Sequence, residues 1–478
     1  MAGMRQDNRT PVLFALILSM ALVAMDTTIV ATAIPQVVGD LGGFSQIGWV
    51  FSAYLLAQTV TIPIYGKLAD LYGRKPILLF GIALFLLGSL LSALSWNMLA
   101  LIGFRALQGL GAGSIGATVN TVAGDMYSVA ERGRIQGYLS SVWGISAVIA
   151  PAVGGVFAEY VTWRAIFLVN LPLGALALGL IVKLLHEDVE RRSHRIDYAG
   201  AALVLTASSL LILGLLQGGT AWAWSSPQSI AVFVGAAVAA GGVVIVEKRA
   251  AEPLMPVHLW ARRLPAGSYA ATLTAGMMVI GLSVYLPNWA QHVLGLNAVA
   301  AGFVLATMSV TWPTASGLSA RLYMRIGFRN TALVGSAFAI ASGVVFTLMP
   351  ITAGVWQPVL GAALMGAGMG LIVSPLLVGL QNTVGWSERG TITGGAMFAR
   401  FLGQSLGAAV FGAITNSVMA GRRESSIAVA TNAAAHATFI GLLGAAVLTA
   451  AILLVLVPRH FPAYAAADPA ADRAEPNP

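Results

Sequence analysis

Apolar runs of roughly twenty residues recur from one end of this 478-residue chain to the other, and each is long enough to cross about 30 Å of hydrocarbon as a helix. No other feature constrains the fold as much. Only 9% of the residues are charged and 58% are hydrophobic, whereas soluble domains carry about 25% charge. A closed barrel would show ten-residue alternation of apolar and polar residues instead of continuous runs. The chain therefore reads as an all-α polytopic membrane protein. Fourteen transmembrane spans are predicted, at about 12–37, 46–66, 76–96, 98–124, 135–158, 164–185, 197–217, 227–247, 267–291, 299–320, 330–350, 356–381, 391–416 and 436–457.

With the N-terminus inside, nearly all of the 26 Lys and Arg residues fall on the cytoplasmic side. Arg164, Arg422 and Arg423 fall outside, and Arg105 and Arg400 lie within spans. That bias is the positive-inside rule, and it predicts both termini in the cytoplasm of a multi-pass protein of an inner or plasma membrane. The formal net charge of +8 is thus explained by topology, with no nucleic-acid partner implied. The first run lacks a small-residue cleavage site and carries Asp26, so it reads as a span and not as a removable leader. Cysteine is absent, which excludes disulfides and thiolate metal sites. The six histidines show no metal-ligand spacing, and no metal or cofactor is expected.

An internal repeat divides the chain. "ERGRIQG" from Glu131 echoes "ERGTITG" from Glu388 at an offset of 257, each placed in a cytoplasmic loop before a span. The same offset aligns Gly109, Gly111 and Gly113 with Gly366, Gly368 and Gly370. "GKLADLYGRK" from Gly66 matches "ARLYMRIGFR" from Ala320 at an offset of 254. Parallel repeats about an axis normal to the membrane are a transporter architecture. Two six-helix bundles are therefore expected, residues 1–185 and 264–457, with a two-helix insertion and its cytoplasmic linkers at 186–263. The Ala/Pro-rich tail, 458–478, reads as disordered.

Four stretches carry chemistry. An aspartate inside "MALVAMDTTIVATAIP", at Asp26, costs several kcal/mol as a free carboxylate in a membrane. "LIGFRALQGLGAG" likewise puts Arg105 in hydrocarbon, with Gln108 one turn along the same face. Asp26 and Arg105 fall at similar depth when their helices are drawn at about 1.5 Å per residue. In "GKLADLYGRK", Gly66 and Gly73 permit close approach and a tight turn, and Asp70 and Arg74 are spaced to pair across one helical turn. "GISAVIAPAVGG" combines small residues with Pro151, which implies close helix packing and a kink.

With these stretches and "WRAIFLVNLP" in span six, the chain resembles the major facilitator superfamily, in particular its fourteen-helix drug–proton antiporter branch. The resemblance covers essentially all of the chain before the tail. It implies alternating access around a central cavity, an inner gate of Gly66, Asp70, Gly73, Arg74 and Asp125, and proton coupling at Arg105. It also implies an antiporter helix marked by Gly144, Pro151, Gly154 and Gly155. Two departures stand out. Met324 occupies the second-half position of Asp70, which makes the expected gate lock one-sided, and no Asp or Glu lies in a span after Glu252. Family members that export multivalent cations often hold such acids.

Asp26 is accordingly the candidate proton carrier. Burial and a nearby cation act on a carboxylate in opposite senses, so a change of hydration on alternating access can tip its protonation. Arg400 has no acid nearby in sequence, and it either packs against backbone carbonyls or faces the cavity. Further cavity-wall candidates are Tyr54, Gln58, Gln108, Trp143, Tyr285, Trp289 and Trp312, large or polar groups suited to adaptable recognition. The expected function is proton-driven export of amphipathic small molecules (multidrug efflux, and with it antibiotic resistance) by a monomer amid membrane lipids. The alternative is a dedicated exporter of one metabolite or lipid-like compound. An enzyme would need convergent catalytic groups at one depth, and none is apparent.

Overall fold

Hydrocarbon offers no partner to a free N–H or C=O, so a spanning chain closes its backbone hydrogen bonds within itself as helix. The computed structural model is built that way. It describes residues 9–43, 46–187, 197–219, 221–250, 262–422, 426–459 and 461. Among these are fourteen helices long and apolar enough to span a membrane. They are α1 (Arg9–Leu41, with a 3-10 turn at Val30–Ala33), α2 (Ile47–Tyr72), α3 (Arg74–Ala93), α4 (Met98–Met126), α5 (Val129–Tyr160) and α6 (Ala165–Leu184). Then follow α7 (Tyr198–Gln217), α8 (Pro227–Glu247), α9 (Arg263–His292), α10 (Ala298–Ile326) and α11 (Phe328–Leu348). The last are α12 (Trp356–Asn382), α13 (Trp386–Ala420) and α14 (Ile427–Val455). Most of the expected linkers (188–196 and 251–261) and of the tail lie outside the described residues.

The helices overrun the predicted spans where polar sequence continues the turn. "ERGRIQG" and "ERGTITG" were expected in loops, but both lie within the first three turns of α5 and α13. A capping box explains the first case: Ser128 and Glu131 satisfy each other's backbone N–H groups. "GKLADLYGRK" is also mostly helix. Gly73 alone separates α2 from α3, at φ 94° and ψ 156°, and Gly327 alone separates α10 from α11, at φ 84° and ψ 162°. That region is open essentially to glycine only.

The repeat holds in the packing as well as in the sequence. A Cβ at Gly109 would press on Tyr54 and Ala57, and one at Gly366 on Met308 and Thr311. Gly111 packs on Gly81 and Phe85, and Gly368 on Gly335 and Ala339. Each pair of neighbours is related by the 254 offset. Small residues let backbones approach where lipid offers no hydrophobic drive to pack, so α4 and α12 occupy equivalent central places in their halves.

Three large cores follow, two within α1–α6 and one formed by α9–α14 with the chain after it. The halves meet where α2 lies against α13 and α5 against α10. The inserted pair is peripheral: α7 touches both α2 and α13, and α8 packs principally on α7.

Candidate functional site

Three polar regions interrupt the apolar interior. The first is sealed within the N-terminal half. Arg105 donates from Nη1 to Asp26 Oδ2 at 2.5 Å and to Gln108 Oε1 at 2.7 Å. Gln108 Nε2 donates to Asp26 Oδ1 at 2.8 Å, and Asn170 Nδ2 to the same oxygen at 3.2 Å. Asn170 is itself held by Ser89, whose hydroxyl donates to the Phe167 carbonyl. The Tyr54 ring lies 4.1 Å from the guanidinium carbon of Arg105. Asp26, Gln108, Arg105 and Asn170 are all at most 1% exposed. A carboxylate with three side-chain donors, one of them cationic, is the form a low-dielectric site can hold as an ion.

The second region closes one end of the seam between the halves, the end at which α1 begins and α14 ends. Asp70 accepts from the backbone N–H groups of Gly390 and Thr391 at 2.8 and 2.7 Å and from the Thr391 hydroxyl at 2.8 Å. It also pairs with Arg74 at 3.0 Å. Arg74 reaches Asp125 at 2.9 Å, donates to the Trp386 carbonyl, and lies 3.6 Å from the centre of the Trp386 ring. Arg389 completes the set by pairing with Asp125. Glycine makes this fit possible, because a Cβ at Gly66 would stand 2.5 Å from the Gly390 carbonyl oxygen. On the other seam, between α5 and α10, the Tyr323 hydroxyl donates to the Val129 carbonyl and accepts from Gly133 N–H at 3.1 Å. Gly133 and Gly390 are repeat equivalents, and Tyr323 adjoins Met324, the equivalent of Asp70. The lock is thus charged on one seam only, yet both seams are tied; Met324 itself is 60% exposed.

The third region is a cavity of about 40 Å³ just inside that closure, bounded by α4, α5, α9, α10, α12 and α13. Trp312 and Arg400 line it. The other cavity-wall candidates do not. Tyr54 and Gln108 belong to the Asp26 cluster. Gln58 is buried against α4, with its carbonyl oxygen beside Gly113. Trp143 packs on the N-terminal core. Trp289 is fully buried in the C-terminal core and donates to Asn432 at 2.9 Å. Tyr285 stands beside Gly412 of α13. Size and polarity could not tell these positions from the cavity wall, because the rotation of each helix decides which face a residue shares.

The glycines of α5 divide between two jobs. Gly144 packs on the Ser309 carbonyl of α10 in the other half, whereas Gly154 packs on Ile29 and Thr32 of α1 in its own half. Gly155 faces open space. The helix runs unbroken through Pro151, whose side chain lies outside the described residues. Sequence reasoning missed Asn170, Arg389, Trp386, Thr391 and Tyr323. Asn170 was visible by the rule that singled out Asp26, a polar residue in an apolar run, and Arg389 by its place in the repeated "ERG".

Two similar halves pinned together at one end, with a small polar cavity between them, form a machine for moving a solute and not for transforming it. The protein is a membrane transporter, and the chain belongs to the Major Facilitator Superfamily, whose family profile matches residues 16–408. It is similar to "Multidrug resistance protein 3" of Bacillus subtilis (strain 168), at 34% identity over 415 residues, 87% of this chain and 81% of that one. "Multidrug transporter protein MdtP" of the same organism is 31% identical over 86% of this chain and 76% of its own length. Among solved structures, the human organic anion transporter MFSD10 (TETRAN) shares the fold, with a TM-score of 0.67 at 15% identity over 94% of this chain and 100% of its own.

Proposed function

We propose that this protein exports amphipathic small molecules in exchange for protons, by alternating access, from a cell membrane in which both termini are cytoplasmic. Asp26 is the proton carrier, and Asp70, Arg74, Asp125 and Arg389 form the cytoplasmic gate, drawn closed. The observation that carries the reading is the Asp26–Arg105 pair, a carboxylate and a guanidinium 1% exposed or less and bonded at 2.5 Å. A buried pair like this adds little stability over apolar packing, and ionisable groups inside membranes serve proton and ion pathways. Multidrug resistance is named for a similar protein of B. subtilis, and efflux for "Efflux pump FUS6" of Gibberella moniliformis.

The exchange runs in two facings. With the cytoplasmic gate closed, Asp26 takes a proton from outside as it leaves Arg105. With the gate open, substrate enters the cavity and Arg105 recovers the carboxylate, which releases the proton inward. The test is gradient-driven transport in proteoliposomes of a panel of unrelated amphipaths. An imposed pH gradient should drive several of them, and Asp26→Asn should abolish that drive in a protein that still folds. Full gradient-driven transport by Asp26→Asn would remove Asp26 from the role.

A further inference from the structure

Arg400 is the cation that nothing in the gate or the proton site accounts for. It sits near the middle of α13 and lines the cavity between the halves. Its Nε is buried without a hydrogen-bond partner, and it enters no ion pair among the described residues. The Phe401 ring lies 5.2 Å from its guanidinium carbon. The sequence offers little else: between residues 253 and 423 the only acid is Glu388, three turns away on the same helix, about 18 Å at 1.5 Å per residue. Among the described acids before the two-helix insertion, Glu159 is exposed at the far end of α5 and the rest are engaged elsewhere. Asp26 holds Arg105, Asp40 holds Arg164, and Asp70 and Asp125 hold the gate arginines. Glu131 and Glu187 cap helices α5 and α3.

A guanidinium stays charged at any physiological pH, and one half-buried between helices with no counter-ion is held at a cost in free energy. The backbone keeps it there. Gly276 of α9 has no side chain, and the Arg400 carbonyl occupies the space that one would fill. Around the guanidinium, the cavity offers neutral hydrogen-bonding groups (Asn120, Gln136, Ser140 and Thr272) and two large apolar ones, Trp312 and Met397. By the 257 offset, the equivalent position in the first half is Trp143, so the cation belongs to one half only. In the closed-gate form the cavity, at about 40 Å³, has room for about one water. An organic ligand enters only when the gate opens.

We infer that Arg400 selects organic anions: the preferred substrates are amphipaths with an apolar or aromatic body and a single carboxylate or sulfonate that pairs with its guanidinium. This rests on the exporter reading and narrows its substrate class. Hydrogen bonds to a charged group set the size of the preference, roughly ten- to hundredfold over a neutral isostere.

The experiment uses three matched probes, 1-pyrenebutyrate, its primary amide and 4-(1-pyrenyl)butyltrimethylammonium. Their binding to the full-length protein in detergent is followed by pyrene fluorescence, and their gradient-driven transport in proteoliposomes is measured in parallel. Wild type should bind the carboxylate at least about tenfold more tightly than the amide, with the ammonium weakest. In Arg400→Gln the carboxylate should lose that advantage, and Arg400→Lys, which keeps a point charge but not the planar fork, should retain part of it. The wild-type ranking stands on its own if a variant fails to fold. Equal wild-type affinity for carboxylate and amide overturns the inference, as does an undiminished preference in Arg400→Gln. Transport of the ammonium probe without the carboxylate sinks the anion assignment and leaves the exporter reading standing. Transport of none of the three, in protein that binds them, sinks both.

Discussion

At the scale of single residues, the polar interior was most legible where one charge stood against an apolar background. Asp26 and Arg105 stood out for that reason, and their depth, counted along two antiparallel helices, placed them together. The structure joins them at 2.5 Å and adds Asn170, whose neutral amide raised no alarm in the sequence. The pairing has a thermodynamic signature. Arg105→Gln strands a buried carboxylate and should destabilise the protein by about 3–5 kcal/mol. Asp26→Asn combined with Arg105→Gln should regain most of that loss, because neither group is then left unpaired. Thermal unfolding of the single and double variants in detergent checks this. A double variant as unstable as the sum of the two singles would mean that the residues are not coupled. Gly73 gives a second test, since its φ of 94° with ψ 156° is strained for any side chain. Gly73→Ala should cost about 1–3 kcal/mol, seen as a lower melting temperature, while an unchanged one would deny that the α2–α3 corner needs glycine.

Among the helices, the sequence named three members of the charged cluster at the end of the seam, which we propose to be the gate, and not the others. Asp70, Arg74 and Asp125 could be named from the loop and the end of span four. Their backbone partners could not, because these are N–H groups of Gly390 and Thr391 and the carbonyl of Trp386, and any sequence has those. The apparent one-sidedness came from looking for a second acid at position 324. The α5–α10 seam uses the neighbouring Tyr323 instead, a neutral group tied to the repeat equivalent of Gly390. Both seams should therefore resist opening. The chain has no native cysteine, so a single cysteine introduced at cavity-lining Ser140 reports access from the cytoplasmic side through its rate of labelling by a membrane-impermeant maleimide. Gly66→Val, which forces α2 off Gly390, should raise that rate several-fold. Tyr323→Phe should raise it by less, since it removes two neutral hydrogen bonds worth about 1 kcal/mol each. Unchanged labelling in both variants would contradict the gate.

For the molecule as a whole, the repeat was legible as an offset between glycines, and the packing of α4 and α12 reproduces that offset neighbour by neighbour. What the halves do not share is charge: Asp26, Arg105 and the gate acids lie in the first, and unpaired Arg400 in the second. For the proposed exchange, this asymmetry sets the energetics. One proton on Asp26 traded for a monovalent cation moves no net charge, so only the pH difference drives it, worth about 1.4 kcal/mol per unit. Traded for a monovalent anion, the same proton moves two charges, each worth about 2.3 kcal/mol at 100 mV. Valinomycin with potassium should therefore leave export of a cation unaffected but slow export of an anion, and nigericin should slow both. If valinomycin alone stops cation export, a second proton site exists; Glu159, exposed at the outer end of α5, is the first residue to replace.

The central claim is that Asp26 binds and releases the transported proton. It is tested most directly by measuring proton movement itself, with purified protein in weakly buffered detergent solution and a pH dye, on addition of a saturating substrate. Wild type should release about one proton per molecule at a pH where Asp26 is loaded. Asp26→Asn should release none while binding the same substrate. Equal proton release from the two proteins would contradict the account.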